Sequence, residues 1–419
     1  MDKEDQKSKS FTRRAFVVGA CQGALLAVLG GRLAWLQVVE GGRYKTLSDK
    51  NRINVKMIAP SRGQIVDRFG VPLAVNNQNF RVLLVPEQTD DMEESLNKLA
   101  ELIDVSDKKI QQVIKESKKS ASFVPLEVID NLDWEEVSKL EVNITDLPGI
   151  SIDEGEIRNY PYGEATGHIV GYVGSVSKKD LTGDPVLTLP GFRIGKTAIE
   201  KSYDIELRGE AGTSQMEVNV RGREVRELHT DQSNSGKRLS LSIDAELQRY
   251  CQQRLGEHKS ASAIIMDGHT GAIYAMASQP GFDPNLFTRG ITAERWEELL
   301  SNPAFPLNNK AVSGQYPPGS TFKMVTAMAA MEQGVATGGT MVNCPGYFEY
   351  GSDKFHCWKL SGHGTMTVTS ALMQSCDTYF YKLSTEIGID NIAKMAHRLG
   401  LGQTYDFDLK EEREGLIPS

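Results

Sequence analysis

The chain has little of what marks a nucleic-acid-binding or repetitive protein. Its 419 residues carry a formal net charge of −8, which argues against a general nucleic-acid binder. No low-complexity segment and no repeat of fixed period occurs in it. Cysteine is scarce, with five residues. With 40% hydrophobic residues, a chain of this length has room for two folded domains and an anchor.

A nucleotide-binding loop is also missing. The segment Gly191–Thr197 reads Gly-Phe-Arg-Ile-Gly-Lys-Thr and ends in Lys-Thr, as a phosphate-binding loop does. However, three residues separate Gly191 from Gly195, whereas the motif requires four. We therefore exclude nucleotide binding at this segment.

The N-terminus contains a long apolar run. Residues 15–38 are nearly all apolar and are long enough to span a bilayer, with Trp35 at the far interface. Basic residues precede the run, so residues 1–14 are predicted to be a cytoplasmic tail and the bulk of the chain to be exported. These basic residues are Lys3, Lys7, Lys9, Arg13 and Arg14. A twin-arginine export signal and a cleaved signal peptide are the alternatives, but no clean small-x-small cleavage site is visible.

The most informative segment is Ser320-Thr-Phe-Lys323, which follows Gln315-Tyr-Pro-Pro-Gly319. The Pro-Pro-Gly run cannot be helical, whereas the apolar spacing after it predicts a helix that Ser320 opens and Gly334 ends. Ser320 and Lys323 then share one helix face. A serine needs a neighbouring base to become a nucleophile, and a lysine within an apolar helix is costly to keep charged. The pattern predicts Ser320 as a nucleophile and Lys323 as its base.

A second motif, Ser375-Cys376-Asp377, lies between two stretches with helical apolar spacing. On such a connection a hydroxyl and a carboxylate can point into a cleft. Ser375 and Asp377 are therefore the candidate partners of the first motif. An ionised Asp377 beside Lys323 would favour the charged amine and oppose its role as a base.

These residues resemble the penicillin-recognising serine transpeptidases, which combine S-x-x-K, an S-x-N or S-x-D turn and a K-T-G strand. Residues 60–74 resemble the start of the pedestal domain in class B penicillin-binding proteins. Within that class, Ser-Cys-Asp and the cysteine-bearing loop before it resemble the elongation type. The resemblance implies that Ser320 forms an acyl-enzyme, that Lys323 assists it and that Ser375 relays a proton. Neither Lys-Thr-Gly nor Lys-Ser-Gly occurs in the sequence. Since Ser419 corresponds to the middle of the catalytic domain in relatives, we expect a truncated and inactive chain.

The expected fold is a membrane-anchored α+β protein. One transmembrane helix leads into an α+β pedestal, or penicillin-binding-protein dimerisation domain, over residues 45–230. An incomplete transpeptidase domain, in which an antiparallel sheet packs with helices, covers residues 236–419. Its start predicts a strand at Leu239–Ile243, a helix at Ala245–Leu255 and a hairpin of Ser262–Asp267 with Gly271–Ser278.

Three cysteines and a histidine cluster around the second motif. Cys344, Cys357, His363 and Cys376 are separated by twelve, five and twelve residues, and glycines make the intervening segment loop-like. Three interpretations compete: a disulfide, free thiols and a metal site. A disulfide would leave one of the three thiols unpaired. A structural zinc ion would use all four groups, and we favour it. The resemblance to the elongation type also implies a metal, because some of those relatives have a metal site in the same loop. No cofactor is expected for catalysis.

The function that the resemblance implies is peptidoglycan D,D-transpeptidation, which cross-links stem peptides during cell elongation at the inner membrane, with the bulk of the chain in the periplasm. Stem peptides, β-lactams, the membrane and a membrane glycan polymerase are the expected partners. One alternative is a non-enzymatic partner that binds and activates that polymerase. Another is a β-lactamase or penicillin-sensing receptor, against which the long pedestal argues.

Overall fold

The structure, a computed structural model, describes residues 2–36, 53–119, 122, 124–189, 191–218, 224–288, 290–405 and 407–418. Helix α1 (Asp2–Ala34) contains the segment Phe16–Ala34, which is long and apolar enough to cross a membrane. Its large apolar side chains are exposed, which water disfavours and which therefore suggests a membrane anchor. Residues 37–38 of the predicted anchor and 45–52 of the predicted pedestal lie outside the described residues.

An N-terminal folded region follows the apolar helix. Its strands are β1 (Ile53–Ile58), β2 (Ile65–Val66), β3 (Pro72–Leu84), β4 (Leu126–Leu132), β5 (Ile150–Asn159), β6 (Val173–Ser175), β7 (Arg193–Gly195), β8 (Gly212–Val218) and β9 (Glu224–Asp231). Its helices are α2 (Met92–Leu102), α3 (Asp107–Ser117), α4 (Trp134–Asn143), α5 (Gly167–Val170), α6 (Ala198–Ser202) and α7 (Asp204–Arg208). The long strand β3 pairs antiparallel with both β4 and β5, while β1, β8 and β9 form a separate antiparallel sheet.

Local sequence sets the helices of this region. The Asp91 carboxylate accepts hydrogen bonds from two backbone N–H groups at the start of α2, and Asp133 forms a capping box with Glu136 at the start of α4. The apolar faces of α2, α3 and α4 pack with β3 and β4 around a shared core that includes Leu84, Leu99 and Leu140.

The C-terminal folded region begins with a strand that joins the sheet of the first region. Strand β10 (Leu239–Ser240) pairs in parallel with β2, which also pairs with β3. The predicted strand at Leu239–Ile243 is therefore shorter than expected, because its partner β2 offers two residues.

The rest of this region alternates short hairpins and helices. Its strands are β11 (Ala261–Met266), β12 (Ile273–Gln279), β13 (Val342–Cys344), β14 (Tyr347–Tyr350), β15 (Asp353–His356) and β16 (Gly364–Met366). Its helices are α8 (Ala245–Leu255), α9 (Asn285–Thr288), α10 (Ala293–Ser301), α11 (Lys310–Ser313), α12 (Lys323–Glu332), α13 (Val368–Met373), α14 (Asp377–Ile387) and α15 (Ile389–Arg398). The helix predicted at Ala245–Leu255 and the antiparallel hairpin of β11 with β12 are both present.

Two cores position the candidate site. One lies among α12, α14 and α15 and includes Val325, Tyr379 and Leu383. The other joins the two folded regions, since it contains Ile169 and Leu207 from the first and residues such as Met276 from the second. The candidate site is built on the first of these cores, which fixes the directions of α12 and α14.

Candidate active site and cysteine cluster

Ser320 lies on a tight turn before a buried helix. The turn is one 3-10 segment, Gly319–Phe322, and the α-helix α12 begins at Lys323. We expected Ser320 to open that helix; instead it lies in the 3-10 turn just before it. Gly319 has a φ of 55°, a left-handed conformation that glycine adopts readily, and it redirects the chain out of the preceding prolines. Ser320 is exposed, whereas Lys323 retains 12% side-chain exposure.

The second motif lies on the short connection between α13 and α14, as its sequence predicted. Cys376 precedes the first residue of α14, Asp377, and is fully buried. Ser375 has a φ of 50°, which is a left-handed conformation for a residue with a side chain. Such a conformation is disfavoured by roughly 1–2 kcal/mol. It is the kind of backbone strain that accumulates where a side chain must point in one direction.

The two motifs meet through a line of hydrogen bonds. The Lys323 ammonium donates to the Ser375 carbonyl oxygen at 2.9 Å and to the Ser375 Oγ at 3.0 Å. The Ser375 hydroxyl in turn donates to Ser320 Oγ at 2.8 Å. Among the hydrogen bonds of the described residues, none joins Lys323 directly to Ser320. Ser375 therefore connects the amine to the exposed hydroxyl.

Asp377 completes the environment of the amine. Its Oδ1 lies 2.6 Å from Lys323 Nζ, and its side chain is 23% exposed. Lys323 thus has three oxygen partners, which are the carbonyl and the hydroxyl of Ser375 and the carboxylate of Asp377. These contacts bring the second motif against the first.

The cysteine cluster forms a compact set of metal-ligand types. The ligand atoms of Cys344, Cys357, His363 and Cys376 all lie within 4.8 Å of one another. His363 Nδ1 is 3.6 Å from the sulfur of Cys344 and 3.6 Å from that of Cys357. All three cysteines are buried free thiols, and they come from the end of β13, the loop after β15 and the start of α14.

The thiols differ in how readily they ionise. Burial alone would raise the pKa of Cys344, yet hydrogen bonds to its sulfur, with His363 among the partners, bring that pKa down to about 6. Burial raises the pKa of Cys376 to about 12, and the neighbouring sulfurs add to that rise. A second thiolate in this space therefore requires a compensating positive charge.

The distances agree with a tetrahedral zinc site. Zinc bonds of about 2.3 Å to sulfur and about 2.0 Å to nitrogen place a thiolate and an imidazole nitrogen roughly 3.6 Å apart. The two sulfur-to-Nδ1 distances have this value. The donor set of three sulfurs and one imidazole is also one that structural zinc uses. The residues present fit this metal.

Trp358 connects the cluster to the candidate active site, and the sequence motifs missed it. Its backbone N–H donates to Asp377 Oδ2 at 3.0 Å, and its indole N–H donates to the Gln374 carbonyl oxygen at 3.1 Å. Trp358 follows Cys357 directly, and its ring lies 5.2 Å from that of His363. Through Trp358, the loop that bears the cluster therefore contacts the carboxylate that pairs with Lys323. The one feature of the sequence that could have indicated Trp358 is its position next to Cys357, a candidate metal ligand.

The chain matches known proteins along most of its length. Residues 57–241 match the family described as Penicillin-binding Protein dimerisation domain, and residues 261–419 match the Penicillin binding protein transpeptidase domain. Peptidoglycan D,D-transpeptidase MrdA of Escherichia coli is 37% identical over 99% of this chain and 66% of the relative. MrdA of Salmonella typhimurium is 33% identical over 99% of this chain and 68% of the relative.

Solved structures lead to the same group. Penicillin-Binding Protein (PBP2) of Helicobacter pylori, in a complex with MreC, is 28% identical, with a TM-score of 0.77 over 87% of this chain and 68% of that one. PBP2 of Pseudomonas aeruginosa is also 28% identical, with a TM-score of 0.60. The chain spans 66% of the length of its E. coli relative. With its dimerisation and transpeptidase domains in this order, the chain belongs to the MrdA, or penicillin-binding protein 2, family of penicillin-binding proteins.

Proposed function

We propose that this chain carries the acyl-serine site of a peptidoglycan D,D-transpeptidase that cross-links stem peptides during cell elongation. The observation that supports this most is the hydrogen-bonded line from Lys323 through Ser375 to the exposed Ser320. It supplies a nucleophile, a proton path and an amine in one cleft. Relatives in the family carry the name peptidoglycan D,D-transpeptidase.

The reaction begins when Ser320 Oγ attacks the carbonyl carbon of the penultimate D-alanine. This step requires a neutral Lys323 amine, so the ammonium first releases one proton to solvent. Ser320 then gives its hydroxyl proton to Ser375, and Ser375 gives its own hydroxyl proton to the Lys323 amine. The bond to the terminal D-alanine then breaks, and its nitrogen takes a proton back through Ser375. An amine of a neighbouring stem peptide attacks the resulting ester, forms the cross-link and releases Ser320. A penicillin follows the first step and leaves its acyl group on Ser320.

The negative charge that develops on the carbonyl oxygen needs hydrogen-bond donors. The backbone N–H of Ser320 is one of them. In relatives the second comes from the strand that carries Lys-Thr-Gly, a motif absent from the printed sequence. Because one such donor is worth on the order of a hundredfold or more in rate, we expect this chain to acylate more slowly than a relative with the motif.

The test is intact-mass analysis of the 419-residue chain after exposure to a penicillin. One stable adduct, absent from Ser320→Ala, supports the assignment. Thr321→Ala is a matched control, because its hydroxyl bonds to the Pro318 carbonyl oxygen and not to the line of catalytic groups. No adduct on protein that melts cooperatively would refute acylation by these residues alone.

We also propose that Cys344, Cys357, His363 and Cys376 hold a structural zinc ion. When bound, the metal would supply the positive charge that the crowded thiols require. Its four protein ligands would leave no open position, so the metal would have a structural role. Since Cys376 lies between Ser375 and Asp377, the ion would fix the second motif in place.

Zinc content and reactivity test this together. Purified protein should carry one zinc per chain, and removing it by chelation, or by His363→Ala, should lower the rate at which Ser320 is acylated. His356→Ala is the control, because His356 is exposed and outside the cluster. A disulfide among the three cysteines, or unchanged acylation in metal-free protein, would contradict the zinc proposal.

The placement in the cell follows from the N-terminal charges. The basic residues before α1's apolar segment keep the N-terminus in the cytoplasm, and the two domains lie in the periplasm, anchored by one pass through the inner membrane. The H. pylori relative forms a complex with MreC, and we propose that this chain also binds a protein partner. We further propose that it binds a membrane glycan polymerase. Unchanged polymerase binding by Ser320→Ala would separate this role from catalysis, and no binding by the unaltered chain would contradict it.

A further inference from the structure

The last described residues of the chain run back from the transpeptidase domain to the dimerisation domain. We call residues 407–417 the strap. Leu409 is 3% exposed and enters the core that joins the two domains, where Ile169, Ala198 and Leu207 of the dimerisation domain also lie. The strap is thus anchored by a buried leucine in a core that both domains share.

Polar contacts fix the strap to the short helix α6 of the dimerisation domain and to Tyr203, which follows it. The Tyr203 hydroxyl donates to Asp408 Oδ1 at 2.7 Å, and the Ser202 hydroxyl donates to the Asp408 carbonyl oxygen. The Ala198 backbone N–H donates to Glu411 Oε1 at 3.3 Å. Three hydrogen bonds within four strap residues make this a specific attachment.

The other end of the strap reaches the turn that carries the nucleophile. The Gln315 amide nitrogen donates to the Glu414 carbonyl oxygen at 2.6 Å. Ile417 then packs against the core under α12 and α14. From residue 314 to 319, all described, this is the one hydrogen bond that connects the exposed turn to a distant part of the chain.

We propose that the strap is the element through which the dimerisation domain holds the Ser320 turn in place, with Gln315 as the positioning residue. Ser320 is bonded to Ser375 and is followed by α12, whereas the N-terminal part of its turn, residues 314–319, is bonded to the strap through Gln315. Glu414 follows a segment bound to α6 and Tyr203 of the dimerisation domain. A shift of α6 would therefore move the N-terminal part of the turn and change the position of Ser320 relative to Ser375. This rests on the proposed function only in taking Ser320 as the nucleophile.

Hydrogen exchange of the full 419-residue chain in detergent tests the coupling without requiring activity. Gln315→Glu keeps the size of the side chain but cannot donate, and should speed exchange of the hydrogen-bonded amides of Thr321 and Lys323 by about fivefold, as expected for one lost hydrogen bond. Gln315→Lys restores a donor and should return exchange towards the original rate. Gln253→Glu, an exposed glutamine on α8, is the matched control.

The decisive variant lies in the other domain. Tyr203→Phe removes the hydroxyl bonded to Asp408 but keeps the ring, and should also speed exchange of the Thr321 and Lys323 amides. If Tyr203→Phe speeds exchange only near residues 203 and 408, the strap does not couple the dimerisation domain to the Ser320 turn, and the proposal is wrong. It also falls if Gln315→Glu exchanges no faster than the Gln253→Glu control.

The kinetics of acylation by penicillin provide a second test. Gln315→Glu should lower the acylation rate at saturating penicillin several-fold and leave the half-saturating concentration unchanged, with the melting temperature also unchanged. An effect on the half-saturating concentration alone would contradict a positioning role. If the unaltered chain takes up no penicillin, the proposed function fails, whereas the exchange data still decide whether the strap holds the turn.

Discussion

The carboxylate of Asp377 accepts a hydrogen bond of 3.0 Å from the backbone N–H of Trp358, nineteen residues before it. The same carboxylate pairs with Lys323 through its other oxygen. One oxygen is therefore held by the loop that bears the cysteine cluster, and the other by the candidate active site. The carboxylate cannot rotate away from Lys323 without breaking its bond to that loop.

Removing this carboxylate should cost both stability and reactivity. In Asp377→Ala, the largely buried Lys323 loses its ion pair, and we expect a loss of about 1–3 kcal/mol in the free energy of unfolding. Penicillin acylation should fall at least tenfold, since Lys323 is no longer held against Ser375. Urea unfolding and adduct formation measure the two effects. Glu386→Ala breaks an exposed pair with Lys382 and should change neither; equal effects in both variants would contradict the argument.

The left-handed conformation of Ser375 allows its backbone and its hydroxyl to be tested separately. Ser375→Gly relieves a conformation that disfavours side chains, which should offset the lost hydroxyl contacts and leave the melting temperature close to the original. Ser375→Ala keeps the strain and loses the hydroxyl, so it should melt lower than the glycine variant. Both should lose acylation, because each breaks the line between Lys323 and Ser320. An alanine variant as stable as the glycine variant would show that the backbone is not strained.

A buried carboxylate in the dimerisation domain should be one of the most sensitive positions for folding. Glu200 is fully buried and bonds to Arg62 at 2.6 Å and to Arg158 at 2.7 Å. Glu200→Gln leaves the buried guanidinium of Arg158 without its charge partner and leaves Arg62 paired with Asp204 alone, and we expect a loss of about 3–5 kcal/mol in unfolding free energy. Thermal and urea unfolding measure it. Glu94→Gln, in an exposed pair with Lys98, is the control and should show no measurable change.

The stability of the domain junction should depend on pH through His168. The pKa of this histidine is lowered to about 4, chiefly by burial; its hydrogen bond to the Pro306 carbonyl oxygen opposes the shift, and the nearby Lys310 contributes to it. The folded state therefore binds fewer protons than the unfolded state, and the stability is fully present above about pH 6.5 and is lost as the pH falls towards 4.

His168→Gln checks the sign and size of this effect. The unaltered protein should lose roughly 2 kcal/mol of unfolding free energy between pH 7 and pH 5 because of His168. The glutamine variant, which retains a donor for Pro306, should lose less by that amount. Urea titrations at the two pH values measure the difference. An identical decline in both proteins would show that other groups account for it.

The candidate site residues could be proposed from the sequence because their motifs are local. Ser320 and Lys323 are three residues apart, and Ser375 and Asp377 are two apart. The second motif lies between helices as predicted, whereas Ser320 lies in a 3-10 turn before the helix that it was expected to open. The cysteines and His363 were grouped by their chemistry alone, and the fold brings their ligand atoms within 4.8 Å.

What the sequence could not reveal depends on distant partners. Lys323 donates a hydrogen bond to the backbone carbonyl of Ser375. The left-handed conformation of Ser375 cannot be predicted from the residue types in the motif. Likewise, Leu409 in the sequence is an ordinary leucine. Its role follows from a core assembled out of both domains.

The pairing of β10 with β2 has a consequence for how such chains recombine during evolution. Leu239 and Ser240 pair with Ile65 and Val66, which lie 174 residues earlier in the chain. A crossover between two relatives in the polar stretch just before β10 would combine a strand from one parent with a sheet from the other. Exchanges that keep Ile65–Val66 and Leu239–Ser240 from the same parent should therefore be favoured among functional hybrids. The matched dimerisation domain, residues 57–241, keeps both segments together, so an exchange after residue 241 would preserve the pairing.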